Sequence, residues 1–194
     1  MDYELSSEEI KSIFNGLELS HEEWKYLAEK FKRIELKKGE HLLRGGNIVE
    51  HTYYIYSGCM RNYFLDKSGK EHTFQFAVRD WWISDFHALY HQSNASMNIE
   101  AIQDTVVFAL PVTSFEEMCV KIRSVEVFHR RKLQGAFASF QRRIIENMSM
   151  TAKERYISFI ERYPDIEKNV KNYHIASFLG ITSESLSRIR KSLS

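Results

Sequence analysis

The stretch "HIASFLGITSESLSRIR", residues 174–190, has the spacing of two short helices joined by a tight turn. Ala176 is small at the place where a second helix would cross the first. Gly180 tolerates the left-handed backbone conformation that ends a helix. The inward-facing positions of such a unit hold apolar residues here, namely Ile175, Leu179, Ile181, Leu186 and Ile189. The spacing therefore predicts a helix-turn-helix.

The second helix of this unit has a polar outer surface. Thr182 is the expected N-cap, with Glu184 in the first turn. Arginine pairs with the guanine edge and glutamate accepts from cytosine, while lysine and serine hold phosphates. The candidate DNA-contacting residues are Thr182, Ser183, Glu184, Ser187, Arg188, Arg190 and Lys191. An ordinary helical hairpin with a polar outer face is the alternative interpretation.

The segment "GITSESLSRIRK", residues 180–191, resembles the recognition segment of the Crp/Fnr family of bacterial transcription regulators. The family's Glu-x-x-Ser-Arg signature is present as Glu184, Ser187 and Arg188. The resemblance implies that these three residues read base edges in the major groove, and that a homodimer binds a palindromic operator in double-stranded DNA. RNA polymerase is a further candidate partner. "YHIASFLGIT" with "RYISFIERYP" is similar to a compact subset of the family that is common in Bacteroidetes-type bacteria.

Composition is that of a soluble globular protein, with 194 residues, 43% hydrophobic and 27% charged. No apolar run approaches the roughly 18 residues that span a bilayer, and the acidic N-terminus is unlike a signal peptide. We therefore expect a cytoplasmic location without membrane contact. The formal net charge of +1 conceals an asymmetry, because residues 151–194 carry 8 Lys/Arg against 5 Asp/Glu. A basic end is consistent with nucleic-acid binding.

The first part of the chain predicts helices followed by strands. Residues 6–33 read as helical, with Ser6 or Ser7 as one N-cap and Ser20 as another. Residues 34–112 hold short aromatic and β-branched runs between glycines. "DKSGKE", residues 66–71, predicts a hairpin turn. Six or more such strands predict a β-sandwich or barrel, and the resemblance implies that they form a jelly-roll-like β-roll.

A long helix is expected next. An apolar stripe at spacings of four, three, four and four comprises Leu133, Phe137, Phe140, Ile144 and Met148. It indicates either packing on the chain's own β-domain or pairing with a second copy, and we favour pairing. Thr151 followed by Glu154 predicts a capping box that opens a new helix, which must end before Pro164. The chain ends soon after the second helix of the helix-turn-helix, so we expect no β-hairpin wing.

The sequence pattern and the resemblance together predict an α+β protein in three parts. Residues 1–112 form N-terminal helices and a cyclic-nucleotide-binding-like roll, residues 113–149 a dimerisation helix, and residues 150–194 the helix-turn-helix domain. The order of these parts agrees with the resemblance.

The resemblance also shows where the chain departs from the family. Cyclic-nucleotide-binding members carry a Gly-Glu pair that binds the ribose and an Arg-Ser pair that binds the phosphate. Here Ser84-Asp85 and Ala95-Ser96 stand in the corresponding stretch. A buried phosphate without a cationic partner is costly, so we expect no tight binding of cAMP or cGMP in the usual mode.

Other effectors and cofactors have little support in the sequence. The family's N-terminal cysteine cluster is absent, and Cys59 and Cys119 read as two reduced cysteines. The eight histidines are dispersed, and we interpret them as ordinary surface or core residues. Haem ligation by one of them stays open as an alternative. We expect no cofactor and no metal. Aromatic residues that either line a cavity in the roll or fill it are Tyr54, Phe64, Phe74, Phe76, Trp81 and Trp82. The effector is therefore unknown.

Two rival functions remain at this stage. The first is a β-roll module that senses a ligand or binds a protein through its C-terminal helices, without DNA. The second is an enzyme of the cupin kind, which needs a clustered His/Glu metal set. His41, His51 and His72 are scattered and no His-x-His occurs, so we expect no enzyme.

Overall fold

The structure is a computed structural model that describes residues 5–193. The helices are α1 (Ser7–Ile13), α2 (His21–Ala28), α3 (Phe86–His91), α4 (Val112–Lys121), α5 (Arg123–Ser149), α6 (Ala152–Arg162), α7 (Pro164–Asn169), α8 (Asn172–Leu179) and α9 (Ser183–Lys191). The strands are β1 (Lys32–Leu36), β2 (His41–Leu43), β3 (His51–Ser57), β4 (Cys59–Leu65), β5 (Glu71–Val78), β6 (Trp82–Ile83), β7 (Asn98–Ala101) and β8 (Thr105–Pro111). The α+β class and the β-roll are confirmed.

Both N-terminal helices begin with a capping box. Ser6 caps α1 by accepting from the amide of Glu9, and Ser20 caps α2 by accepting from the amide of Glu23. These caps satisfy amides that have no partner inside the helix. The helical expectation for residues 6–33 was too long at its end, because Lys32 already pairs with Ala109 in the sheet.

The eight strands form two four-stranded sheets with the orders β1-β8-β3-β6 and β2-β7-β4-β5. β8 lies between β1 and β3 and is antiparallel to both. The predicted hairpin joins β4 to β5, where the Gly69 amide donates to the Asp66 carbonyl at 2.9 Å. Gly69 has a φ of 82°, a left-handed value that favours glycine.

Two apolar clusters stabilise this part of the chain. One contains mainly aliphatic side chains of the strands, such as Ile55, Ile99 and Val107. The other joins α1, α2, α4 and α5 to residues of β3 and β8, including Tyr54 and Phe108. Alternate residues of one strand therefore serve different clusters, as the two-residue period of a strand requires.

The predicted helix from residue 113 onward is interrupted once. Ile122 has φ −128° and ψ 94°, and its buried side chain lies between α4 and α5. The extended backbone at Ile122 allows this apolar side chain to be buried. α5 then runs for 27 residues without a break.

The C-terminal helices follow the sequence signals closely. Thr151 caps α6 in a capping box with Glu154, as expected. α6 ends at Arg162 and Pro164 occupies the first turn of α7, where a missing amide costs nothing.

The chain divides into two compact units. The first comprises the described residues up to Asn62 together with Ala77–Lys132, and the second comprises Tyr63–Phe76 with Leu133 onward. The tip of the β4–β5 hairpin therefore belongs with the C-terminal helices. The three-part division at residues 112 and 149 stays a prediction.

His129 on α5 gives the fold a pH dependence. Its ring lies 4.2 Å from that of Phe115 and 6.0 Å from that of Trp82, and burial lowers its pKa to about 4. The unfolded chain takes up this proton near pH 6.5, whereas the folded chain does so only near pH 4. Stability should therefore fall as the pH drops from about 6.5 towards 4.

Urea unfolding at pH 7 and pH 5 measures this effect. His129→Phe, which keeps an aromatic ring in place, should reduce the loss of stability at pH 5. The exposed His91→Gln is the control and should leave the loss unchanged. An undiminished loss in His129→Phe would rule out this histidine as its source.

Candidate nucleic-acid interface

The turn between α8 and α9 has the geometry that the sequence predicts. Gly180 ends α8 in the left-handed region, with φ 67° and ψ 33°. The Ile181 amide donates to the Ala176 carbonyl at 3.0 Å, which closes the turn. Ile175, Ala176 and Leu179 are buried. The helix-turn-helix is confirmed as a structural unit.

One side of α9 is fixed against the other helices. Thr182 caps α9, and its hydroxyl oxygen accepts from the Ser185 amide at 3.2 Å. Leu186 is fully buried and Ile189 is half-buried. These contacts decide which residues of α9 face outward.

The opposite side of α9 carries exposed polar residues. Glu184, Ser187, Arg188 and Lys191 are exposed, and at about 100° per residue they fall within an arc of roughly 100° opposite Leu186. Arg188 makes one long contact, of 3.4 Å, with the Ser185 hydroxyl. Its guanidinium thus has donors left for another acceptor. This face matches the helix surface that reads a major groove.

Glu184 presents an acceptor on this face. Its own backbone amide and the nearby Thr182 hydroxyl lower the pKa of its carboxyl group, with a further contribution from Arg188. Ionised glutamate accepts only, as the cytosine amino group requires.

Arg190 differs from the other predicted contacts because its guanidinium is engaged inside the domain. It donates to the Tyr156 hydroxyl at 2.9 Å, to the Glu167 carboxylate at 2.7 Å and to the Asn172 side chain. We therefore leave Arg190 out of the proposed contacts. Ser183 is half-buried in the first turn, and Thr182 is exposed although its hydroxyl serves the cap.

Arg155 is a residue that the sequence analysis missed. It donates to the Leu179 carbonyl at 3.2 Å and to the Met150 carbonyl at 2.8 Å. It thereby links the end of α8, beside the turn, to the end of α5. Spacing on α6 gives no signal for this contact, because both acceptors are backbone carbonyls and that of Leu179 lies 24 residues away in sequence.

Comparison with known proteins agrees with this geometry. Residues 33–121 match the family model for the cyclic nucleotide-binding domain. Electron transport regulator A of Shewanella oneidensis is 24% identical over 171 residues, covering 81% of this chain and 67% of that protein. The transcriptional activator protein Anr of Pseudomonas protegens is 24% identical over 187 residues, covering 89% and 75%.

A solved structure of a putative transcriptional regulator of the Crp/Fnr family from Eubacterium rectale superposes with a TM-score of 0.67 at 18% identity, covering 90% of this chain and 83% of that chain. Residues 33–121 thus carry a cyclic nucleotide-binding domain, and the chain is similar to regulators of the Crp/Fnr family. It spans 61–67% of the length of four of its curated relatives.

Asp85 binds the stretch of the roll that departs from the cyclic-nucleotide pattern. This side chain is fully buried. Its carboxylate accepts from the amides of Ala88 at 3.1 Å, Ser96 at 2.8 Å and Met97 at 3.1 Å, and from the Ser96 hydroxyl at 3.0 Å. Burial alone would raise the pKa of Asp85, but these bonds outweigh it and lower the pKa.

The donors at Ser96 are therefore already bound to an anion that belongs to the chain. Ala95 beside it is buried and brings no positive charge. A cyclic phosphate at this place would have to displace the Asp85 carboxylate or lie next to it. Both alternatives oppose phosphate binding.

The predicted aromatic residues do not share one place in the fold. Tyr54 and Trp82 pack together in the cluster beside the N-terminal helices, with ring centroids 5.6 Å apart. Phe64 is 39% exposed and stacks on His72. Phe74 and Phe76 contact the C-terminal helices, and only Trp81 packs against the aliphatic cluster. They neither line one cavity nor fill the roll.

Among residues 5–193, no three His, Cys, Asp or Glu side chains are grouped closely enough to hold a metal ion. None of the helices described there is both long and apolar enough to cross a membrane. Cys59 and Cys119 are free thiols, and burial raises the pKa of Cys59 to about 12.

Calorimetric titration with cAMP and cGMP tests the role of Asp85. We expect no binding at micromolar concentrations, because the Asp85 carboxylate occupies the donors of Ser96 and Ala95 beside it is uncharged. Micromolar or tighter binding to the unmodified chain would contradict this expectation.

Arg190 and Lys191 are adjacent on α9, but Arg190 is bound to other helices of the domain whereas Lys191 is exposed to solvent. Arg190→Ala should lower the free energy of unfolding by about 1–2 kcal/mol, because it breaks a half-exposed network of three partners. Lys191→Ala should change it by less than about 0.5 kcal/mol, as an exposed residue without such partners does. Urea unfolding of the full chain compares the two, and equal stabilities would refute the internal role of Arg190.

Proposed function

We propose that the chain is a sequence-specific DNA-binding transcription regulator that acts as a homodimer on a palindromic operator. The observation that carries this proposal is the face of α9. Leu186 holds α9 against the domain, and Glu184, Ser187, Arg188 and Lys191 stand free on the other side. The names of two relatives, electron transport regulator A and transcriptional activator protein Anr, support a role in the regulation of transcription.

Arg188 and Glu184 read bases in this proposal, and Ser187 supports them. Lys191 binds phosphate, with Thr182 and Ser183 at the start of α9, where free helix amides favour an anion. A basic and polar face with one carboxylate fits an interface that must both attract phosphates and discriminate between bases.

The second copy is expected along α5. Leu133, Phe137, Ile144 and Met148 are 49%, 65%, 59% and 83% exposed. Phe140 is the member of the stripe that packs within its own unit, 5.5 Å from Phe74. Four exposed apolar side chains in register on one helix are costly in water, and pairing with an identical helix covers them.

Two α9 helices in such a dimer enter successive major grooves about 34 Å apart, which gives the palindromic operator. The protein acts in the cytoplasm and is not an enzyme. RNA polymerase as a partner rests on the family resemblance alone. Whether the regulator raises or lowers transcription does not follow from these residues.

The rival function is a roll that binds a ligand or a protein without DNA. Selection of duplexes from a random library by the purified full chain separates the two. A DNA-binding regulator recovers a palindromic sequence, whereas the rival recovers none above background.

Arg188→Ala tests the base-reading role on the selected duplex. It should weaken binding by about 1–3 kcal/mol and relax specificity at one position of each half-site. Fluorescence anisotropy on duplexes with each base substitution measures both effects. Lys191→Ala is the matched comparison, and should weaken all sequences equally and reduce the salt slope by about one. Uniform weakening by Arg188→Ala would exclude it from base reading.

A further inference from the structure

The tip of the β4–β5 hairpin contacts the helix-turn-helix through the free edge of a sheet. β5 is the last strand in the order β2-β7-β4-β5. The Ser177 hydroxyl on α8 accepts from the Thr73 amide at 2.8 Å and donates to the Glu71 carbonyl at 3.1 Å. Residues two apart in a strand point these groups to the same edge. One hydroxyl therefore satisfies two backbone groups of an edge strand.

Arg143 on α5 is the second link between the same elements. Its guanidinium lies 4.2 Å from the ring of Phe178 and 5.7 Å from the ring of Phe74, and it donates to the Phe74 carbonyl. Burial lowers its pKa. No carboxylate forms an ion pair with it among residues 5–193, so its partners are two aromatic faces and a carbonyl.

An aromatic cluster completes the contact. Phe76 lies 5.3 Å from Phe178 and 6.3 Å from Phe159, between ring centroids. Phe159 and Phe178 are 5.5 Å apart. We call the contacts of Arg143, Ser177 and Phe178 with hairpin residues 71–76 the hairpin clamp. It holds α8 to the hairpin and to α5.

The hairpin clamp leaves the outer face of α9 free. Glu184, Arg188 and Lys191 remain exposed, while α9 packs on α8 through Leu186. α5 carries both Arg143 and the apolar stripe that would face a second copy. The clamp therefore fixes α8 and α9 relative to the helix along which two copies would meet.

We propose that Arg143 and Ser177 are positioning residues that set the separation of the two recognition helices, and hence the half-site spacing of the operator. This proposal rests on the proposed function. A domain held in place loses little freedom on binding, whereas a domain released from the clamp must be ordered on each duplex.

The experiment uses the full chain, the selected palindrome and two duplexes with one base pair added or removed at its centre. One base pair rotates a half-site by roughly 35° and shifts it by about 3.4 Å. Ser177→Ala and Arg143→Ala should weaken binding to the selected palindrome about tenfold. Their preference for the original spacing over the altered ones should also shrink towards a ratio of one.

Arg142→Ala is the matched control. Arg142 precedes Arg143, is exposed and lies 3.9 Å from Glu146 outside the clamp. It should keep the spacing ratio. Circular dichroism confirms that each variant is folded, and Ser177→Ala removes only a hydroxyl. Folded variants that lose affinity equally on all spacings, or that keep the ratio of the unmodified chain, would overturn the proposal.

Hydrogen exchange tests the clamp without DNA. The Thr73 amide should exchange faster in Ser177→Ala than in the unmodified chain, and an unchanged rate would overturn the clamp itself. If the unmodified chain binds no duplex, the proposed function fails. The exchange rate of the Thr73 amide still tests whether the hairpin clamp exists.

Discussion

Burial of Leu186 is the constraint on which the C-terminal part of the structure depends. A leucine at this position of α9 gains roughly 1.5–3 kcal/mol by leaving water, and only one rotation of the helix achieves that. The same rotation turns Glu184, Arg188 and Lys191 outward. Gly180 supplies the turn that brings α9 to this place, and Thr182 starts the helix there. The surface that we assign to DNA is thus a consequence of packing on the other side.

In the roll, the fold matches a known domain but the side chains at one turn depart from its ligand-binding pattern. Its sheets and its match to the cyclic nucleotide-binding domain are those of a ligand-binding family, yet the turn at Ser96 is bound by the chain's own Asp85 carboxylate. An internal anion stabilises the turn permanently and needs no ligand. The roll thus has the fold of the cyclic nucleotide-binding domain, while the turn at Ser96 holds a carboxylate and the uncharged Ala95.

Much of this fold could be predicted from local signals in the sequence. Capping serines and threonines, the Asp66–Gly69 turn and Gly180 act through their immediate neighbours, so the sequence reveals them directly. The break at Ile122 could not be predicted, because it depends on which cluster buries that side chain. The same limit explains the aromatic residues. A composition argument grouped them together, whereas the fold divides them among four surroundings.

The candidate site shows the same division. The exposed face of α9 follows from helical spacing, and the prediction placed it correctly on one side of the helix. Arg190 has the same residue type and a neighbouring position, yet its guanidinium meets Tyr156 and Glu167 from helices distant in sequence. Ser177 and Arg143 could not be identified from the sequence for the same reason, since the strand atoms that they bind lie about 70 to 105 residues away.

Hydroxyl-radical footprinting of the full chain on its selected palindrome tests the central claim most directly. The account predicts two regions of protected backbone that are related by the symmetry of the duplex and centred about one helical turn apart. A single protected region, protection independent of sequence, or no protection at concentrations that saturate the duplex would contradict it.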